Sequence, residues 1–396
     1  MKKHILIVSQ YFYPEQFRIN DIAAEWVNRG YEVTVLTGIP NYPRGKFYSG
    51  YGWFKKRKET WNGVNIIRIP LIARGNNSVC MVLNYMSFVV SGFFWKIFTK
   101  VKADIVFTFE VSPMTQALIG VWYSKKHKIP NYLYVQDLWP ENVEIVTGIR
   151  SKMVIGPISK MVNYIYKNCD KIFATSPSFV KEIQKRTPGE EDKVIYWPQY
   201  AEDFYHPTDM KSSLIPQDGV LNITFTGNIG TAQGLEILPE AAKCLKEKNL
   251  KVRFNIVGDG RNKENLISEV KSYDVEEYFN MIGQVPATDI PGILSASDIA
   301  FLSFADNPLY SMTIPAKLQS YMACGCPILA VADGEVRRII SEANCGFCLN
   351  FGDMDGFVKV IETLEKESLS KMGESAEEYF KQHFQKKLLM DRIVLL

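Results

Sequence analysis

The sequence predicts an α/β protein with two successive parallel sheets, each flanked by helices. Three observations carry that prediction. A chain of 396 residues is too long for one comfortable core and suits two domains. Short apolar runs alternate with helical patterns in two separate series. Between the series, residues 199–218 hold Asp203, Pro207, Asp209, Pro216 and Asp218 with few apolar residues, which reads as a linker. A composition of 46% hydrophobic and 22% charged residues, without low-complexity tracts, is that of a globular chain.

The first series has apolar runs that read as buried strands at Ile5–Val8, Glu32–Leu36, Val64–Ile69, Asp104–Phe109, Asn131–Val135, Lys171–Ala174 and Lys193–Trp197. Helical patterns fall between them at Asn20–Arg29, Pro113–Lys126 and Lys152–Tyr166. The second series has strands at Leu221–Phe225, Val252–Val257, Phe279–Ile282, Ile299–Ser303 and Ile328–Val331. Its helices are expected at Leu235–Glu247, Lys263–Tyr273, Ile290–Ala296, Ile314–Ala323 and Val336–Ala343, with helical pattern again from Leu369 to Val394. Strand–helix alternation implies right-handed crossovers and parallel sheets. The expected domains are residues 1–200, a linker at 201–218, residues 219–375, and a terminal helix at 376–396 that returns to the first domain.

Charge is divided unevenly. Residues 1–200 carry 27 Lys+Arg against 15 Asp+Glu, or +12, and residues 201–396 carry 19 against 28, or −9, which sum to the net +3. A basic half suits anionic lipid, nucleic acid or a pyrophosphate-bearing substrate. No nucleic-acid module is visible, so nucleic acid is not an expected partner. Met1-Lys2-Lys3-His4 runs straight into Ile5–Val8, so no secretory leader is expected at this start. Seven scattered cysteines suit a reduced, cytoplasmic protein. Cys324, Cys326, Cys345 and Cys348 form C-x-C and C-x-x-C pairs. They read as small buried hydrophobes in preference to a zinc site, and no metal is expected.

Two glycine-rich segments each follow a strand and precede a helix: Gly227-Asn228-Ile229-Gly230 through Gly234, and Gly258-Asp259-Gly260-Arg261. Such loops either close a tight turn or bring backbone N–H groups up to a phosphate. Neither has clean dinucleotide spacing, and the acidic residue of a dehydrogenase fingerprint is not in place. Pro315-Ala316-Lys317 opens a helix, where Lys317 either adds charge to a diphosphate site or is simply solvated.

These segments, together with Gly283-Gln284-Val285-Pro286, Ser297-Asp298 and Met322-Ala323-Cys324-Gly325-Cys326-Pro327, resemble the family 4 glycosyltransferases of the GT-B fold. The first half agrees through Tyr11-Phe12-Tyr13-Pro14-Glu15, Arg29-Gly30-Tyr31-Glu32-Val33, Gly38 to Gly45, and Val135-Gln136-Asp137-Leu138-Trp139-Pro140-Glu141. There it resembles a bacterial subgroup that builds O-antigen and capsule and includes a proposed N-acetyl-L-fucosaminyl transferase. The resemblance implies two Rossmann-like domains facing a cleft. It also implies retaining transfer from a nucleotide sugar, here UDP-linked, without an obligatory metal or other cofactor. The implied acceptor is a lipid-linked glycan at the inner face of the cytoplasmic membrane.

Residue by residue, the resemblance puts Gly227, Asn228 and Gly230 at the diphosphate, with Gly258, Asp259, Gly260 and Arg261 beside it. Gln284 and Val285 fall near the base, Lys317 on the pyrophosphate and Ser320 on the donor. Asp137 falls near the reacting carbon, although a Leu-Trp-Pro turn could equally need it as a cap. Gln16, Arg18, Asn20, Asn41, Tyr42 and Glu141 are the expected acceptor contacts. Three departures stand out. Met312 and Ser320 occupy the places of two glutamates common in relatives, Asn228 and Gln233 replace a basic pair, and Gln136 stands where His is frequent. A non-catalytic nucleotide- or glycan-binding protein is therefore the alternative reading.

Val79 to Trp95 is a 17-residue run without charge, and reads as a buried or interface-lying helix. Upstream, Arg44, Lys46, Lys55, Lys56, Arg57 and Lys58 interleave with Phe47, Tyr48, Tyr51, Trp53 and Phe54. That mixture suits peripheral contact with an anionic membrane, or a solvated loop.

Overall fold

The computed structural model describes residues 2–75, 77–148 and 150–393, which form two compact units. The first unit comprises the chain up to Thr175 together with Phe179–Tyr196; the second comprises Ser176–Ser178 and the chain from Trp197 onward.

In the first unit, apolar and β-branched runs make eight strands. They are β1 (His4–Val8), β2 (Glu32–Thr37), β3 (Lys58–Trp61), β4 (Val64–Arg68), β5 (Ile105–Glu110), β6 (Asn131–Val135), β7 (Lys171–Ala174) and β8 (Val194–Tyr196). Their order is β3-β4-β2-β1-β5-β6-β7-β8, parallel throughout except for the β3–β4 hairpin. β5 and β6 are buried at every position, as expected for strands covered by helices on both faces.

The second unit holds β9 (Leu221–Thr226), β10 (Val252–Val257), β11 (Phe279–Gly283), β12 (Ile299–Ser303), β13 (Ile328–Val331) and β14 (Gly346–Leu349). This sheet is fully parallel in the order β11-β10-β9-β12-β13-β14. Alternation along β12 feeds both faces: Ile299 and Phe301 join one core cluster, Ala300 and Leu302 the other. Two parallel-sheet α/β units are thus what the sequence predicted.

Several details differ from expectation. The basic-aromatic stretch does not end in a loop, because Lys58 begins β3, which pairs with β4 across Asn62-Gly63. Both turn residues have positive φ (47° and 76°), as a two-residue hairpin loop requires. β14 was not anticipated. The segment expected as a linker packs on the second unit. Ala201 and Ile215 lie in its core, Ser212 N donates to Gly292 O (2.9 Å), and Asn280 Nδ2 donates to Leu214 O (3.1 Å). The terminal helices cluster with the second unit: Ala376, Phe380 and Phe384 lie in its core, and the buried indole of Trp197, where that unit's longer segment begins, donates to Leu389 O (2.9 Å).

The uncharged run forms one long helix, Ser78–Phe98, capped by the Asn77 side chain, which accepts from Cys80 N. Only Asn84, Phe88, Val89 and Gly92 are buried, with Gly92 pressed on Ile119 so closely that a Cβ would collide. Val79, Val82, Leu83, Met86, Val90, Phe93, Phe94, Ile97 and Phe98 are exposed. This is one helix among the described residues long and apolar enough to cross a membrane.

Candidate active site

The second unit carries a polar, glycine-lined region at the carboxyl ends of its strands. β9 neighbours β10 on one side and β12 on the other, so the strand order switches direction there, where open α/β sheets take ligands. Three strand ends are stitched together. Gly227 N donates to Val257 O (2.9 Å), Gly258 N to Gly283 O (2.8 Å) and Ile229 N to Asp259 O (2.8 Å). Only glycine permits this. Gly227 and Gly258 hold φ of 131° and 142°, and a Cβ on Gly258 would overlap the Gly227 carbonyl oxygen.

Lys317 reaches this platform from the helix Ala316–Ala323, which opens behind Pro315. The ammonium lies 3.9 Å from the centre of the Phe225 ring and 3.6 Å from where a Cβ of Gly227 would sit. The stem is half-buried, but Nζ is buried and has no hydrogen-bond partner. Desolvation pulls its pKa down to about 7. An unpaired cation beside a glycine-lined loop at a helix start is arranged for an anion.

The other expected donor residues divide by environment. Gly227, Asn228, Asp259, Arg261 and Gln284 are exposed beside the platform, while Gly230, Gly258, Gly260 and Val285 are half-buried within it. Ser320 is buried with its hydroxyl donating to Ala316 O (3.2 Å), and so serves its own helix. Gln233 Oε1 accepts Gly230 N (3.1 Å) and closes the first loop. Tyr321 was missed. Its buried hydroxyl accepts Thr226 N (2.9 Å) and donates to Phe301 O (3.3 Å), bridging β9 and β12 at the switch. A cavity of about 460 Å³ lies beyond the ends of β12, β13 and β14, lined by Phe304, Asp306, Asn307, Tyr310, Asp333 and Asn350 among others. It borders the first loop through Ala305, whose N donates to Ala232 O (3.0 Å), but does not include Lys317. The cysteine pairs form no metal cluster among the described residues: Cys324, Cys326 and Cys345 are buried in the core, and the Cys348 thiol donates to Ala332 O.

In the first unit, Asp137 follows β6 and accepts a hydrogen bond from Ser112 N (2.7 Å) on the loop after β5. Ser112 Oγ in turn accepts from the Trp139 indole (3.1 Å) and Asn142 Nδ2 (2.8 Å). Asp137 is therefore both anchored and burdened: burial raises its pKa, and the Ser112 hydrogen bonds partly offset this. Beside it stands Glu110, the last residue of β5, fully buried, with Oε1 unpartnered. Desolvation, then repulsion from Asp137, push the Glu110 pKa well above the usual carboxylate value. The sequence reading missed Glu110 because it ends an otherwise apolar run.

The expected acceptor residues are mostly framework. Asn41 is buried, its Nδ2 donating to Ile39 O and its Oδ1 accepting Arg74 N. Asn20 clips the preceding turn through Tyr13 N and Glu15 O. Glu141 pairs with Arg186 at 2.9 Å. Gln16 and Tyr42 are exposed, and Arg18 is half-buried. The Tyr42 ring packs against Tyr11 and Phe17.

Two family models match the chain: Glycosyltransferase Family 4 over residues 17–199 and Glycosyl transferases group 1 over residues 207–383. Among curated proteins, a putative colanic acid biosynthesis glycosyl transferase, WcaI of Escherichia coli, is 26% identical over 348 residues, covering 81% of each chain. An alpha-monoglucosyldiacylglycerol synthase of Acholeplasma laidlawii is 22% identical over 339 residues, covering 81% of this chain and 77% of its own. Among solved structures, sucrose-phosphate synthase of Thermosynechococcus elongatus superposes with a TM-score of 0.76 at 14% identity, covering 99% and 97% of the two chains. HepE of Anabaena in complex with UDP gives 0.69 at 15%, covering 99% and 98%. These structural likenesses establish the fold that the two units share with them.

Proposed function

The chain is a glycosyltransferase, its halves belonging to family 4 and to group 1, and from that premise we propose that it transfers a sugar with retention from a UDP-linked donor to a lipid-linked glycan in surface polysaccharide synthesis. The observation that carries this reading is the partnerless Lys317 ammonium above Gly227. Donor cleavage builds negative charge on the departing diphosphate. A cation held at a helix start lowers the energy of that charge more than that of the intact donor. No metal is required in this account, because Lys317 and Arg261 supply the positive charge. Retention proceeds by front-side attack: the acceptor hydroxyl oxygen bonds to the anomeric carbon as the bond from that carbon to the diphosphate oxygen breaks, and the hydroxyl proton passes to the departing diphosphate, with no enzyme nucleophile. Asp137, tethered to Ser112, is the residue that the resemblance assigns to the reacting carbon.

The relatives' names support the polymer: colanic acid and amylovoran are named in the proteins matched. An N-acetylated deoxyhexosamine such as N-acetyl-L-fucosamine is the proposed donor sugar, as the residue-level resemblance implies. The glucosyldiacylglycerol synthase relative, by name, acts in making a glycolipid. The exposed apolar stripe of Ser78–Phe98 supports membrane contact for this chain, and the cytoplasmic face is the proposed side.

The test is a screen of UDP-sugars for slow hydrolysis and for transfer to lipid-linked acceptors, with and without chelator. One UDP-sugar should be consumed, the product should keep the donor's anomeric configuration, and chelator should leave the rate within about twofold. Asp137→Asn should cut transfer by at least about tenfold while leaving UDP affinity nearly unchanged. A chain that binds UDP-sugars yet consumes none, with every acceptor, is a binding protein and not this enzyme.

A further inference from the structure

Arg74 lies between β4 and the helix Ser78–Phe98, in a setting that the donor chemistry does not use. Its guanidinium sits over the rings of Tyr42 (5.3 Å) and Tyr85 (5.8 Å), and Nη1 donates to the Tyr11 hydroxyl (3.0 Å). Nη2 reaches only the Met81 sulfur (3.5 Å), a weak acceptor. Among the described residues Arg74 has no carboxylate partner. The acids whose fields reach this cluster are engaged elsewhere. Glu15 accepts Asn41 N (2.7 Å) and Tyr42 N (2.6 Å), and Asp137 accepts Ser112 N. A guanidinium fixed against aromatic faces, with donors left over and no counter-ion, suits a phosphate.

The segment is held still. Arg74 N donates to Asn41 Oδ1 (2.9 Å), and a buried amide chain runs from Gln116 through Gln10 to Asn84, whose Nδ2 donates to Ile72 O (2.6 Å). Immediately beyond, the helix begins its exposed apolar stripe with Val79, Val82 and Met86. A fixed cation at the start of an exposed apolar helix matches an amphiphile with an anionic head and a hydrocarbon tail.

We propose that Arg74, in its box of Tyr11, Tyr42 and Tyr85, holds a phosphate of a lipid-phosphate acceptor while the adjoining helix face meets the lipid chain. This rests on the lipid-linked acceptor proposed above and names the residue that would hold its head. The tyrosine rings orient the guanidinium, and Tyr11 fixes one end of its fork, leaving the other end to the phosphate.

The test uses farnesyl diphosphate, farnesol and inorganic pyrophosphate as probes. Binding is followed by the protein's fluorescence with UDP saturating, so that the donor site is filled. The wild type should bind farnesyl diphosphate at least about tenfold more tightly than either farnesol or pyrophosphate alone, the loss expected for a charge-assisted contact. Arg74→Gln should erase the preference over farnesol, and Arg74→Lys should keep part of it. UDP affinity reports the fold of each variant. If Arg74→Gln also loses UDP, Arg74→Lys decides, and undiminished diphosphate preference in it overturns the forked contact. Equal binding of farnesyl diphosphate and farnesol by the wild type overturns the phosphate seat but leaves a lipid acceptor. Pyrophosphate binding as tightly as the lipid makes this a free-phosphate site and overturns the lipid assignment. Wild type that binds neither lipid probe contradicts the lipid-linked acceptor itself.

Discussion

At the scale of residues, Lys317 links burial to function through its proton. The free protein holds this group near pKa 7, against 10.5 for an ordinary lysine, because Nζ has lost water and gained no partner. An unfolded chain keeps the proton to higher pH, so between about 7 and 10.5 the unfolded state binds more protons, and the unliganded fold gains stability as pH rises through that window. A bound diphosphate has the opposite effect: it favours the ammonium and raises its pKa. Binding above pH 7 must therefore take up a proton, and UDP affinity should fall as pH rises from about 7 to 9. The slope approaches tenfold per pH unit at most. The terminal phosphate of UDP, with a second pKa of about 6, is already ionised in that window and does not confuse the sign. Calorimetry in two buffers of different ionisation enthalpy measures the uptake directly. Lys317→Met should abolish both the slope and the uptake, and a flat wild-type profile removes Lys317 from the phosphates. Lys317 was legible because Pro-Ala-Lys at a helix start has a physical meaning. Glu110 and Tyr321 were not, because what singles them out is burial beside Asp137 and beside a sheet switch, which no local pattern encodes.

At the scale of elements, the helix Ser78–Phe98 is the one whose role the fold leaves open. Its inner face is fully engaged, with Gly92 against Ile119 and Phe88 in the core, while nine apolar side chains remain outside. Periodicity could not find this face, since the run is apolar all round and its burial depends on partners distant in sequence, such as Gln10 for Asn84 and Ile119 for Gly92. The hairpin β3–β4 had a legible signal in Asn62-Gly63. It was passed over because a short strand rich in charged side chains resembles a loop. That hairpin orders part of the basic-aromatic stretch: Lys56 lies over Tyr51, Arg57 donates to Arg68 O and Trp53 O, and Phe54 is 93% exposed. In the proposed membrane contact the two elements act by charge, about 1 kcal/mol for each basic group near an anionic surface, and by apolar contact. Sedimentation with anionic vesicles should therefore show binding that weakens, without vanishing, at high salt. Replacing Lys55, Lys56 and Lys58 by Ser should remove the salt-sensitive part, and replacing Val82, Met86 and Val90 by Ser the remainder. Binding indifferent to lipid charge, salt and both sets of replacements would sink this account of docking.

At the scale of the whole molecule, the two sheets were readable because buried parallel strands leave near-continuous apolar runs, and crossover helices leave periodic ones. Seven runs in the first half and five in the second coincide with observed strands to within a residue or two. The ends of the domains were less readable. Residues 201–218 are poor in apolar side chains yet pack through Ala201 and Ile215 and through the hydrogen bonds of Ser212 N to Gly292 O and of Asn280 Nδ2 to Leu214 O. The partition of the terminal helices depends on contacts such as Trp197 with Leu389, nearly two hundred residues apart, which no window of sequence can reveal. The asymmetry of charge, +12 in residues 1–200 and −9 in residues 201–396, puts the proposed diphosphate site inside an acidic half. Affinity there must come from local groups and not from the overall field. That makes the donor site the central claim, and titration of UDP and UMP into the wild type and Lys317→Ala by calorimetry tests it most directly. The account predicts that UDP binds far more tightly than UMP, and that Lys317→Ala costs UDP about 1–3 kcal/mol while barely touching UMP. Equal affinities for the two nucleotides, or a variant indistinguishable from wild type, would contradict it.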